Sequence, residues 1–148
     1  NRFNPSSGYY YSLSEHFAGL GGDVNYISSV ARSSFYYKPD YVDLVIGLGG
    51  EYGNIEGLDE NVSKSNRFFL GGRKVRGFDS SGIGPRSSVS SLASAVGGNN
   101  YYTGRLAIRS GIGLPSETGI QWTIFTDFGS LWGVDDTAGN YAISTNGY

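Results

Sequence analysis

Along 41–55, Val42, Leu44, Ile46 and Leu48 fall on one side of an extended backbone, and Asp43, Val45, Gly47, Gly49 and Glu51 fall on the other. Along 101–112, Tyr102, Leu106, Ile108 and Ile112 oppose Tyr101, Thr103, Arg105, Ala107, Arg109 and Gly111. Along 120–131, Ile120, Trp122, Ile124 and Phe128 oppose Gln121, Thr123, Phe125, Asp127 and Gly129. Strand side chains point to opposite faces with a period of two, so each segment predicts a strand with one apolar face and one face of charge, hydroxyl and glycine. Two more extended segments, 8–19 and 25–37, precede these, with alternation too irregular to assign their faces. Turn signals separate the strands at Asn4-Pro5-Ser6-Ser7-Gly8, at Lys38-Pro39-Asp40 and over 113–119, which holds Pro115. A long glycine-, serine- and base-rich segment fills 56–100. The tail over 134–148 is polar, with the start of another strand at 141–144. The prediction is an all-β chain, an antiparallel meander of about five to six strands.

An apolar face opposite a polar one fits a soluble sandwich as well as a membrane barrel. Three features favour the barrel. The strands are about ten residues or longer, the length of a tilted membrane-spanning strand. Short turns alternate with longer connections, as in outer-membrane barrels. Aromatic residues gather near strand ends: Tyr9, Tyr10 and Tyr11; Phe35, Tyr36 and Tyr37; Tyr101 and Tyr102; Phe128 and Trp132. Girdles of this kind mark the two bilayer interfaces.

Composition narrows the chemistry. At 148 residues the chain is one domain at most, and its 24 glycines argue against long helices. There is no cysteine, which excludes a disulfide framework, a thiolate nucleophile and Cys-ligated zinc. A single histidine, His16, is too few for a His-based metal cage and reads as a surface or lumen residue. No catalytic residue, metal site or cofactor is expected, and the chain does not read as an enzyme. A net charge of −2 gives no reason to expect nucleic acid. No apolar run reaches the 18 residues of a membrane helix.

The most informative stretch is Gly71-Gly72-Arg73-Lys74-Val75-Arg76-Gly77-Phe78-Asp79-Ser80-Ser81-Gly82-Ile83-Gly84-Pro85-Arg86. Lys64, Arg67, Arg73, Lys74, Arg76 and Arg86 make this region basic, with Asp79 the one acid between 64 and 86. A solvated loop would account for the charge alone. Val75 and Phe78 on either side of Arg76 suggest instead a loop folded back on the barrel wall, its arginine met by a carboxylate. If the last turn is centred near Ser116, antiparallel pairing sets Arg105 roughly opposite Asp127 on the polar face.

Phe68-Phe69-Leu70-Gly71-Gly72, Val75-Arg76-Gly77-Phe78, Ile83-Gly84-Pro85-Arg86, Val96-Gly97-Gly98-Asn99 and Phe125-Thr126-Asp127-Phe128-Gly129 follow one another in order. Together they resemble the C-terminal barrel signatures of the BamA-type outer-membrane protein assembly factors, in the superfamily shared with two-partner secretion transporters. Phe3-Asn4-Pro5-Ser6-Ser7-Gly8 is similar to a periplasmic turn of that barrel. The resemblance covers essentially the whole chain. It implies a segment of a sixteen-stranded outer-membrane barrel that folds and inserts other barrel proteins into the outer membrane. Its implied partners are the lipid bilayer, unfolded outer-membrane proteins and the lipoproteins of an assembly complex.

The resemblance also implies a long loop tucked into the lumen, with the Arg of its Val-Arg-Gly-Phe motif held by acids on the two following strands. One such acid matches Asp127. The other falls at Ala107, so half of the expected acidic receptor is absent and Arg105 stands as a competitor for Asp127. A secretion transporter and a soluble all-β binding module, lectin-like for example, are the rival functions.

Other motifs carry less. Gly19-Leu20-Gly21-Gly22 and Gly47-Leu48-Gly49-Gly50 open no helix, which a phosphate-cradling loop requires. Asn61-Val62-Ser63 is a short pattern common by chance. Asp23, Asp59, Glu60, Asp135 and Asp136 read as solvated acids rather than calcium ligands. Five or six strands cannot close a membrane barrel, which takes at least eight, so the chain reads as an excised piece without periplasmic domains. Its two open sheet edges would invite copies to associate.

Overall fold

The computed structural model describes residues 5–19, 25–87, 94–111, 120–135 and 143–144. No helix forms among them. Five long strands make one antiparallel meander: β1 Gly8–Ala18, β2 Tyr26–Tyr37, β3 Leu44–Gly57, β5 Asn100–Gly111 and β6 Gln121–Trp132, in that spatial order. Two short strands, β4 Arg86–Ser87 and β7 Ile143–Ser144, pair separately.

The middle of the meander differs from the sequence expectation at both ends of β3. Tyr41, Val42 and Asp43 belong to the β2–β3 turn, which Lys38 Nζ closes by pairing with Asp43 Oδ1 at 2.8 Å. At its other end β3 runs on to Gly57, because Tyr26 and Ile27 of β2 remain opposite it. The expected turn over 113–119, Ile112, and Tyr141 with Ala142 lie outside the described residues.

Strand register sorts the side chains into two faces. Arg32, Glu51, Thr103, Arg105 and Asp127 share one face, as the pairings Arg32↔Glu51, Glu51↔Thr103 and Arg105↔Asp127 require. The opposite face presents Tyr9, Tyr11, Leu13, Phe35, Leu48, Trp122, Ile124 and Phe128, all exposed. Leu13 and Ile124 are 69% and 66% accessible, an arrangement that water disfavours over so contiguous a patch. Near the strand ends Tyr9 and Tyr11 lie 5.7 Å apart, and Tyr102 and Trp132 lie 5.9 Å apart edge to face.

The core therefore sits between the polar face and the long connection from β3 to β5. Leu70, Val75, Tyr101 and Leu131 are its buried centre, with Phe68 and Ile83 packed against them. Phe68 meets the Tyr101 ring edge-on, centroids 4.7 Å apart. Full burial of Leu70 or Val75 contributes about 1.5–3 kcal/mol each.

Two glycines make room for aromatic rings on opposite faces. The Tyr101 ring lies over Gly53 and the Phe128 ring over Gly104, each where a β-carbon would collide. The two rings differ in freedom, since Tyr101 is buried and Phe128 is 56% accessible. Gly53→Ala is therefore expected to cost about 1–3 kcal/mol, because the Tyr101 ring cannot swing away. Gly104→Ala should cost less than about 1 kcal/mol, because the Phe128 ring can turn aside. Urea unfolding of both variants of the intact protein in detergent checks this; equal losses would show that ring freedom does not decide the cost.

Candidate functional site: the loop lock on the inner face

The described parts of the connection, 58–87 and 94–99, fold as a second layer on the inner face of β3, β5 and β6. Its frame is made of short backbone pairings. Phe68 and Gly98 exchange N–H···O bonds at 2.9 and 3.0 Å, Ile83 N–H donates to Leu70 O at 3.1 Å, and Val96 N–H donates to Pro85 O at 3.1 Å. Arg86 bridges to Ala95, and its Nη2 donates to the carbonyls of Ser81 and Gly82. The two ends of the layer are tied to the residues that follow β6. Buried Arg67 donates to Val62 O and Asp135 O, Asp135 Oδ2 accepts from Val62 N–H, and Asn99 N–H donates to Gly133 O at 2.7 Å.

Glycine matters most at two points of this layer. Gly71 has φ 137° and turns against the Asp79 carbonyl, where any side chain would clash. Gly84 has φ 114° and lies against the side chain of Leu131. Between them the loop reverses: Gly72 N–H donates to Phe78 O at 3.0 Å, and Gly82 N–H to Asp79 O at 2.8 Å. Gly77 sits at the exposed tip with φ 93°.

This reversal sets Val75 and Arg76 to different tasks. Val75 is buried, its methyls over Gly129 and beside Leu70. Arg76 turns to the inner wall of β6. Its Nε and Nη2 donate to Asp127 Oδ2 and Oδ1 at 2.6 and 2.8 Å, and its backbone N–H reaches Oδ2 at 3.1 Å. The guanidinium carbon lies 3.3 Å from the centroid of the Phe125 ring, so the fork is stacked as well as paired. Arg105 Nε donates to Asp127 Oδ1 at 2.9 Å, and its Nη2 to the carbonyl of Arg73. The Asp127 side chain is 1% accessible. The two arginines thus share one buried carboxylate rather than excluding each other. The hydrogen bond to Asp127 raises the pKa of Arg76 above an already high ordinary value, and the loop cation stays charged.

Phe78 departs from the sequence expectation. Its carbonyl closes the reversal by accepting from Gly72 N–H, while the residue remains 47% accessible. Only Arg76 and Gly77 separate it from Val75, and Gly77 takes φ 93° between the buried residue and the half-exposed one.

A second ionic contact lies one residue before Val75. Lys74 Nζ pairs with Glu51 Oε1 at 2.5 Å, donates to the Tyr101 hydroxyl at 2.9 Å, and sits 4.1 Å from that ring's centroid. The Tyr101 hydroxyl donates to Glu51 Oε1, and Arg32 Nε pairs with Glu51 Oε2 at 2.7 Å. Ala107 faces the same interior, opposite Gly47 on one side and Phe125 on the other. The loop therefore meets two carboxylates, Asp127 on β6 and Glu51 on β3.

Sequence reasoning placed Glu51 on the polar face without giving it a partner. Lys74 and Glu51 are 23 positions apart, and only the folded loop brings them together. Among the described residues no cluster of three or more potential ligands could hold a metal ion. Of the acids weighed for calcium, Glu60 accepts from Asn25 N–H and Asp135 from Val62 N–H; Asp23 and Asp136 lie outside the described residues.

The sequence profile of the Omp85 superfamily domain matches residues 1–147. The outer membrane protein assembly factor BamA of Neorickettsia risticii (strain Illinois) is 36% identical over 138 residues, 93% of this chain and 18% of that protein. The chain spans under a fifth of the length of that curated relative. With a match over almost its whole length and an inward loop docked on an antiparallel sheet, the chain belongs to the Omp85 superfamily, as a BamA-type member.

Proposed function

We propose that this segment forms part of an assembly factor that folds and inserts β-barrel proteins into the bacterial outer membrane. Within it, the loop carrying Val75-Arg76-Gly77-Phe78 braces the barrel lumen. The observation that carries the reading is the buried Asp127 carboxylate, taken up by Arg76 through three N–H groups and by Arg105 through a fourth. The outer apolar face is the lipid-facing surface, and the polar face lines the lumen. The segment's place is the bacterial outer membrane, and its partners are the bilayer, unfolded outer-membrane proteins and the lipoproteins of the assembly complex.

The work needs no covalent chemistry. An unpaired strand edge offers backbone N–H and C=O groups on which an incoming strand can be templated. Such an edge must be deformable while the wall behind it keeps its shape. The loop supplies the rigidity: Arg76 holds β6, Arg105 ties that contact to β5, and Lys74 holds Glu51 of β3. Similarity to an assembly factor along 93% of the chain favours this reading over export by a secretion transporter.

Arg76→Ala leaves a nearly buried carboxylate with one partner fewer, and removing one member of such a pair costs a few kcal/mol when burial is complete. Arg76 itself is 37% accessible, which lowers that figure to about 1–2 kcal/mol. The expected outcome is slower folding of this barrel and reduced insertion of client barrels, read by heat-modifiability on gels and by client levels in the outer membrane. Wild-type values for both in Arg76→Ala would refute the brace.

The second contact is separable. A double-mutant cycle of Lys74→Ala with Glu51→Gln should give a coupling energy of about 0.5–2 kcal/mol in urea unfolding. Lys74→Ala with Asp127→Asn should be closer to additive, since those residues share no hydrogen bond. Strict additivity in the Lys74/Glu51 cycle would remove Glu51 from the lock.

A further inference from the structure

The inner face carries more positive charge than the lock uses. Arg32, Arg73, Lys74, Arg76, Arg105 and Arg109 border one cavity of about 440 Å³ between the loop and β2, β3 and β5. Among the described residues two carboxylates meet these cations, Glu51 and Asp127, and each is already shared by two of them. Arg73 and Arg109 form no ion pair among the described residues. Arg109 donates instead to the Pro5 carbonyl, and its guanidinium lies 5.9 Å from the Tyr36 ring centroid.

The floor of the cavity is built largely of small residues. Gly47, Gly49 and Ala107 line it between Arg105 and Arg109, with the Tyr36 ring lying against Gly47 as a side wall. Those two arginines flank Ala107 at alternate positions of β5 and project from the same face. A concave site of one charge sign, walled by protein, concentrates counter-ions. Guanidinium forks match two oxygens of an oxyanion bidentately, a geometric fit that a spherical chloride does not offer. The volume equals on the order of fifteen waters at roughly 30 Å³ each, room for a hydrated polyatomic anion.

We propose that this alcove binds a soluble phosphate-class oxyanion between Arg105 and Arg109, over Ala107 and beside the Tyr36 ring. A lipid headgroup is not the source, because the alcove opens on the face opposite the exposed apolar surface. The bound anion neutralises the surplus cations and leaves the Arg76–Asp127 contact undisturbed. The inference goes beyond the brace, and it uses the docked loop as one wall of the site.

The test is calorimetric titration of the intact protein, in a non-ionic detergent, with inorganic pyrophosphate at fixed ionic strength against a matched chloride control. Saturable binding of one pyrophosphate per protein is expected. Ala107→Glu places a carboxylate between the two arginines and should weaken that binding at least tenfold, and Arg109→Gln should do the same by removing one side of the site. Should Ala107→Glu fail to fold, Arg109→Gln decides. No binding beyond the chloride control, or undiminished binding in either variant that folds, overturns the proposal.

Discussion

A carboxylate with almost no access to water, Asp127, is the constraint to which this architecture answers. Burying an ionised carboxylate costs several kcal/mol unless its lone pairs are met by well-placed donors. Here four N–H groups meet them, three from Arg76 and one from Arg105. The donors come from different levels of the structure. Arg105 is delivered by strand register, since it stands directly opposite Asp127. Arg76 is delivered by a loop reversal some fifty positions earlier in the chain. A slip of one residue between β5 and β6 would send Arg105 to the apolar face, because side chains alternate. The charge contact and the sheet register therefore support each other.

Burial of Val75 makes the loop's side of this arrangement affordable. Ordering a glycine-rich segment sacrifices backbone entropy of about 1–2 kcal/mol per residue, which one ion pair cannot offset. Leu70, Val75 and Ile83 offset part of it by covering Tyr101 and Leu131, and the backbone pairings of Phe68, Leu70 and Val96 settle the loop's polar groups. Tyr101 joins the apolar and ionic parts. Its ring packs under Phe68, while its hydroxyl lies in the Glu51–Lys74 contact.

Much of this was legible in the chain because its signals are local. Alternation assigned Glu51, Arg105 and Asp127 to one face, and a turn near Ser116 was enough to set Arg105 against Asp127. Val75 beside Arg76 pointed to a loop that packs. What stayed hidden depends on three-dimensional closure. Lys74 reads as one more base in a basic loop until Gly71 and Gly84 fold it back over Glu51. Phe78 reads as an anchor, yet it stays half exposed at the loop reversal. Tyr41 to Asp43 fit the strand alternation, but the Lys38–Asp43 pair folds them into the turn. Alternation records which side a residue faces and is silent on where pairing stops.

The docked layer touches β3, β5 and β6, whereas β1 is joined to its neighbour β2 by backbone pairing and by side chains along the ladder, such as Ser29 with Glu15. The sheet is in consequence mechanically uneven. A shear that parts β5 from β6 must also pull two arginines off one carboxylate, while a shear that parts β1 from β2 strains no such clamp among the described residues. Within the described sheet, deformation meets the least side-chain resistance at the β1–β2 ladder, with the clamped strands as the stiff part against which it bends.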